Sequence, residues 1–274
     1  MAPIADRETV TGIVKDETCW MIKNRVEKLR DALTESMSVS PFLMPILAYL
    51  HQSANFAELG EILVAGHLMV GHSTSFGKLV DEKILPWAFK TRKLDGAFRK
   101  ATEPLVQACF NEIDHLVPRP GKSDALLSLK ASRWTIQLTA AVELNKAFAL
   151  ILKDYCPPYC EIVVGVFAGH SERLTDKYDI LRGINRGKQH NVVDLTKKVQ
   201  VYAGKEFWTW LNNGEPATHE WVLQGILEAV KTDCGKEFKE LQKSFIESFT
   251  KKFAKHIGKS GEVNWFGILK EING

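Results

Sequence analysis

The stretch EIVVGVFAG (161–169) constrains the fold more than any other part of this chain. It is rich in valine, almost free of polar side chains and ended by Gly169, so it reads as a strand buried inside a sheet rather than one edge of a helix. Two further strands are predicted upstream. NEIDHLV and ALLSLKAS flank PRPGKSD, whose proline, glycine and aspartate are strong turn formers, and the three together predict a β-hairpin at the centre of the sheet. VQVYAG (199–204) is a fourth strand candidate. Between them RWTIQLTAAVELNKAFALIL has helical periodicity, and KEFWTWL and 218–256 are helical, the last part with a lysine-rich face.

The first hundred residues read differently. Ile13, Met21, Ile22, Val26, Leu29 and Leu33 recur at three- and four-residue steps, which predicts a polar amphipathic helix over 8–35. Pro41 and Pro45 interrupt the next segment, and a short apolar helix is expected to about residue 52. Residues 55–70 form another helix, Ser73, Thr74 or Ser75 caps a new one that stops before Pro86, and 94–110 is helical again. The order helices, hairpin, helix, strand, loop, strand, helices predicts an α/β fold. A central mixed β-sheet is flanked by helices and preceded by an N-terminal helical region over 1–54, with the main domain over 55–274.

Composition narrows the function classes only a little. Hydrophobic residues make up 45% and charged residues 25%, as in ordinary globular chains, and the net charge of +3 permits a nucleic-acid partner without arguing for one. MAPIADRETV lacks the apolar core of a signal peptide, and no run approaches the ~18 apolar residues that a membrane span needs, so a cytoplasmic protein is expected. Five scattered cysteines, with no histidine or cysteine pair at zinc-finger spacing beside CPPYC, are expected to be reduced thiols. His67, His72 and His170 fit no ligand motif, and GKSD at 121–124 lacks the preceding glycine pattern of a P-loop.

The hairpin carries the candidate chemistry. Cleaving a phosphodiester requires a hard cation on oxygen ligands, a positioned water and positive charge at the phosphate. Asp114, at the end of the first hairpin strand, and Lys130, at the end of the second, are expected at one edge of the sheet. Asp124, in the turn, competes for the role of first acid. An acid two residues before the lysine would complete the set, but Ser128 stands there, so the second carboxylate must come from elsewhere. Glu143 interrupts the apolar face of the following helix and is the candidate, because a carboxylate in such a stretch is costly unless paired or bound to a cation. Ser132, Arg133 and Gln137 open that helix, where backbone amides favour phosphate and the side chains suit base edges. The loop ERLTDKYDILRGINRGKQHN supplies Arg182, Arg186 and Lys188 as further DNA contacts.

GHSTSFGKLVDEKILP, IDHLV, LLSLKASRWTIQLT and AGKEFW resemble type II restriction endonucleases of the PD-(D/E)XK nuclease superfamily, over roughly residues 55–230. The SLK strand followed by a glutamate on the next helix resembles the subgroup in which the acid has migrated, and VYAGKEFWTWL resembles the late strand and helix of the TdeIII-like enzymes. The resemblance implies Asp114 and Glu143 as Mg²⁺ ligands, Lys130 as the catalytic lysine and Glu82 as a glutamate projecting from the preceding helix towards the metal. It also implies double-stranded DNA as substrate, a homodimer matched to a palindromic site and a cognate methyltransferase. The proline-aspartate dipeptide that names the superfamily is missing, since Ile113 precedes Asp114.

Overall fold

The computed structural model describes residues 2–34, 40–131, 136–185, 187 and 189–273. The chain divides into two compact units, residues 1–17 with 77–228 and residues 18–76 with 229–274. Residue 55, where the sequence suggests a boundary, lies within the second of these.

The first unit contains a five-stranded mixed sheet in the order β1-β2-β3-β4-β5, formed by Arg92–Lys93, His115–Val117, Ala125–Lys130, Ile162–Val166 and Val199–Ala203. β1 to β3 run antiparallel, and β3, β4 and β5 are parallel to one another. The expected hairpin is therefore β2–β3, and β3 is the central strand. Helix α6 (Leu138–Asp154) is the crossover from β3 to β4. Its buried side chains Ala141, Leu144, Phe148 and Ile151 share one core with Leu126, Ile162, Val164 and Val166 of the sheet. The other face of the sheet packs on α8 (Lys205–Leu211) so closely that a Cβ on Gly165 would stand 2.4 Å from Phe207 Cε2 and 2.9 Å from Leu127 Cδ1. That proximity explains a glycine in the middle of the most apolar strand.

The segment before the sheet differs from the sequence expectation in two places. Helix α3 runs unbroken over Phe56–Leu79, because Thr74 donates its hydroxyl to the Val70 carbonyl one turn back instead of capping a new helix. It continues through a π-helical turn, Val80–Ile84, into the short α4 (Leu85–Phe89). Residues 94–110 do not form one helix. α5 covers only Gly96–Ala101, capped by Asp95, and the chain then turns at Thr102 and Pro104 before a single 3₁₀ turn at Ala108–Phe110.

In the second unit, part of α1 (Arg7–Thr34), α2 (Leu43–Leu50), most of α3 and α10 (Phe238–Phe253) contribute Leu29, Met44, Phe56, Leu59, Leu63, Phe245, Phe249 and Phe253 to a separate core. Phe56 stacks on Phe249 with ring centroids 5.2 Å apart. No helix among the described residues is long and apolar enough to cross a membrane. Cys156 and Cys160, expected as free thiols, form a disulfide: the turn that ends α6 brings their Cα atoms to 4.8 Å, within bonding range.

Candidate active site at the sheet edge

Antiparallel pairing places the ends of two successive strands at opposite edges of a sheet. Asp114 and Lys130 nevertheless share an edge, because Asp114 stands immediately before β2 rather than at its end, whereas Lys130 is the last residue of β3. Two backbone bonds fix Asp114: its N–H donates to the Leu127 carbonyl (2.8 Å), and its carbonyl accepts from the Leu94 N–H (2.8 Å). Its side chain then accepts from the Leu129 N–H through Oδ2 at 2.6 Å. The preceding loop is held by Arg99, which donates to the carbonyls of Leu94, Phe110 and Ile113. Nothing in the sequence pattern marks Arg99, since its acceptors are backbone atoms of a loop.

Burial raises the Asp114 carboxyl above its ordinary range. The Leu129 amide and the Lys130 ammonium pull it back, and the charge of Asp81 pushes it up further. Lys130 is largely buried along its stem, with its ammonium 3.9 Å from the Glu112 carboxylate.

Asp81 is an acid that the sequence pattern does not single out. It projects from the π-helical turn, one residue before the expected Glu82. Its Oδ1 lies 2.8 Å from His115 Nε2, and its Oδ2 accepts from Lys93 Nζ at 2.5 Å. His115 is fully buried, and its Nδ1 lies 3.1 Å from the Thr91 hydroxyl. An ionised carboxylate only accepts, so Nε2 carries a proton, and in a neutral ring Nδ1 accepts from Thr91. Burial pushes the Asp81 carboxyl up, but the bonds from His115 and Lys93 outweigh it and hold the group below its usual value. Burial likewise opposes the charge on Lys93, and the Asp81 and Glu82 carboxylates more than restore it. The two carboxyl groups at this edge are thus driven apart, Asp81 towards the charged form and Asp114 towards the neutral one.

Glu82 is half-exposed, 3.4 Å from Lys93. Glu143 is not brought to the edge. Its side chain is 63% exposed and pairs with Lys146 at 2.9 Å. The polar residue on the buried face of α6 is Asn145. It donates to the Leu181 and Val193 carbonyls and accepts from the Val193 N–H. Ser128, at the position where an acid is usual, is fully buried, and its hydroxyl has no partner among the described residues. Asp124 stays in the hairpin turn, exposed, at the far end of β3 from Lys130.

Among the candidate DNA contacts, Gln137 is exposed at the N-cap of α6. Arg182 is turned inward, its Nε donating to the Val199 carbonyl (3.2 Å) and its Nη2 to that of Thr196 (3.4 Å). Ser132, Arg133, Arg186 and Lys188 lie outside the described residues.

Asp114 and Asp81 carry hard oxygen donors, and the charge of Asp81 reaches Asp114. No group of three or more histidine, cysteine, aspartate or glutamate side chains among the described residues is arranged to hold a metal. No family model matches this chain, and none of the curated proteins matches it significantly.

Proposed function

We propose that this chain is a Mg²⁺-dependent endonuclease with a restriction-endonuclease-like sheet of the PD-(D/E)XK type, acting on double-stranded DNA. The observation that carries the reading is that Asp114 and Lys130 stand at the same end of a mixed sheet, with Asp81 near enough for its charge to act on Asp114. Such an edge is where a nuclease of this class needs its acids and its lysine. Asp114 and Asp81 would hold the cation, Asp114 through the oxygen not engaged by Leu129. The bound Mg²⁺ supplies charge neutralisation at the phosphate and an acidified water. Lys130 would direct its ammonium at a phosphate oxygen and orient the attacking water. Glu143 has no role in this scheme, and Glu82 acts only by sharing Lys93 with Asp81.

The finer assignment to a type II restriction enzyme rests on the sequence resemblance. With it come a homodimer matched to a palindromic site and a cognate methyltransferase. The test is digestion of phage DNA with Mg²⁺ or Mn²⁺, followed by sequencing of the ends. Discrete fragments with 5′-phosphates at a repeated sequence support the full assignment, and cleavage without sequence preference reduces it to a repair or recombination nuclease. Full cleavage in excess EDTA overturns the metal-dependent reading, and no cleavage under any divalent ion overturns the nuclease itself and leaves a non-catalytic binding or scaffold protein.

A further inference from the structure

The opposite edge of the same sheet has an arrangement that the nuclease reading does not use. Arg119 follows β2, and Glu161 immediately precedes β4, so both lie at the end of the sheet away from Lys130. The Arg119 side chain is only 8% exposed. Its guanidinium lies 3.8 Å above the Trp210 ring, and its Nη1 donates to the Trp210 carbonyl at 2.9 Å. Nε and Nη2 have no hydrogen-bond partner among the described residues. These two nitrogens form one edge of the planar fork, the edge that engages a carboxylate or phosphate with two parallel bonds. The Glu161 carboxylate stands against this edge as an ion pair beyond hydrogen-bond distance, its Oε1 4.0 Å from Nε and accepting from the Trp210 indole N–H at 3.0 Å.

The same guanidinium lines an open cleft of about 320 Å³ whose walls include Lys122, Glu161, Asn213 and Gly214. Lys122 is exposed at the tip of the hairpin turn and lines the opening. With Arg119 and Lys122 against one carboxylate, the lining carries a net positive charge. Asn213 and Gly214 both have positive φ, which turns the chain tightly at the rim. A buried fork held on an aromatic face with no hydrogen bond on its two-donor edge is organised for an oxyanion, since a purely structural arginine would spend those donors on protein acceptors.

We propose that this cleft is a binding site for a phosphate group, with Arg119 as the bidentate donor and Lys122 as the closing charge. Nε and Nη2 are closed to solvent, so the ligand enters by displacing the partly exposed Glu161 side chain, which acts as a competing anion. The site stands apart from the Asp114 edge and does not depend on the nuclease reading.

Titration of the full-length protein with inorganic phosphate, followed by calorimetry, tests the proposal. A 5′-phosphorylated oligonucleotide and its 5′-hydroxyl counterpart, added without divalent ions, tell a free phosphate from a polynucleotide end. Saturable phosphate binding is expected, weakened about tenfold or more by Lys122→Glu and tightened by Glu161→Gln, which removes the competing charge yet keeps an acceptor for Trp210. Arg119→Gln is expected to abolish binding. Because this residue is buried and the variant can misfold, the two surface variants decide the outcome. Tighter binding of the 5′-phosphorylated strand than of the 5′-hydroxyl strand, lost in Lys122→Glu, makes a polynucleotide end the source. Equal binding of the two strands leaves the free ion. No saturable binding of phosphate, or binding that Lys122→Glu and Glu161→Gln leave unchanged, overturns the proposal.

Discussion

Replacing His115 by leucine tests whether the Thr91–His115–Asp81 chain holds this end of the sheet together. The imidazole is fully buried and makes two polar contacts, one to a carboxylate and one to a hydroxyl. Leucine fills a similar volume, so the loss is mainly polar. A hydrogen bond to a charged group is worth about 1.5–3 kcal/mol and a neutral one about 1 kcal/mol. Asp81 keeps Lys93 and is 27% exposed, so water replaces part of what it loses, and the charged bond belongs at the low end of that range. The expected loss is about 2.5 kcal/mol, which for a domain of this size is a fall in Tm of roughly 5–10 °C. Thermal melts of both proteins at pH 7 measure it. The pH dependence supplies a second check. The folded-state pKa of Asp81 is depressed, so its contribution is complete above the ordinary 3.8 and disappears as pH falls through the lower folded value. The part of the gap that Asp81 contributes should therefore narrow only below 3.8. A destabilisation under about 1 kcal/mol at pH 7 would refute the reasoning, since it would mean that neither buried contact counts.

Three further outcomes are expected. Lys130→Ala should lose cleavage by orders of magnitude in Mg²⁺ while keeping its DNA affinity in Ca²⁺, and near-normal cutting removes the lysine from the reaction. Asp81→Asn should lower cleavage about a hundredfold or more, whereas Glu143→Ala should cut normally and shift stability by less than about 0.5 kcal/mol, as expected for an exposed ion pair; the reverse pattern in a plasmid assay restores the migrated acid. Gly165→Ala should cost about 1–3 kcal/mol in a denaturant titration, because its Cβ has no room between Phe207 and Leu127; an unchanged midpoint means that the sheet and α8 separate freely.

The fold was legible where one period dominated. EIVVGV and ALLSLK are strands because nothing but burial explains such runs, and β4 and β3 occupy them. β1 is only two residues long and has no period to read. The break after α5 depends on Thr102 and Pro104 turning the chain, against an apolar spacing over 94–110 that looks helical by itself. The unbroken α3 is the converse case: serine and threonine at 73–75 look like a cap, yet a Thr74 hydroxyl bonded to the carbonyl one turn back is compatible with a continuing helix.

The candidate site was legible to the extent that chain connectivity alone could place its residues. Asp114 and Lys130 flank a tight hairpin, so any folding of those strands fixes their separation. The acid proposed as the second ligand comes from an element distant in sequence, and there a rotation of one residue decides everything. A step along a helix turns a side chain by about 100°, so choosing Glu82 over Asp81 selects a different direction altogether. The π-helical turn at Val80–Ile84 alters that rotation again, and no pattern in LVDEKILP announces it. Glu143 went astray in the same way. In LTAAVELNKAFALIL the glutamate looks like the polar intruder, but the helix buries Ala141, Leu144, Asn145, Phe148 and Ile151 and leaves Glu143 outside with Lys146. The intruder on the buried face is Asn145, whose amide can satisfy three backbone groups without carrying a charge into the core. A carboxylate near an apolar run is therefore weak evidence for a metal ligand until its phase on the helix is known. Asp81 is the stronger candidate because what is buried beside it, a histidine and half a lysine, serves to keep it charged.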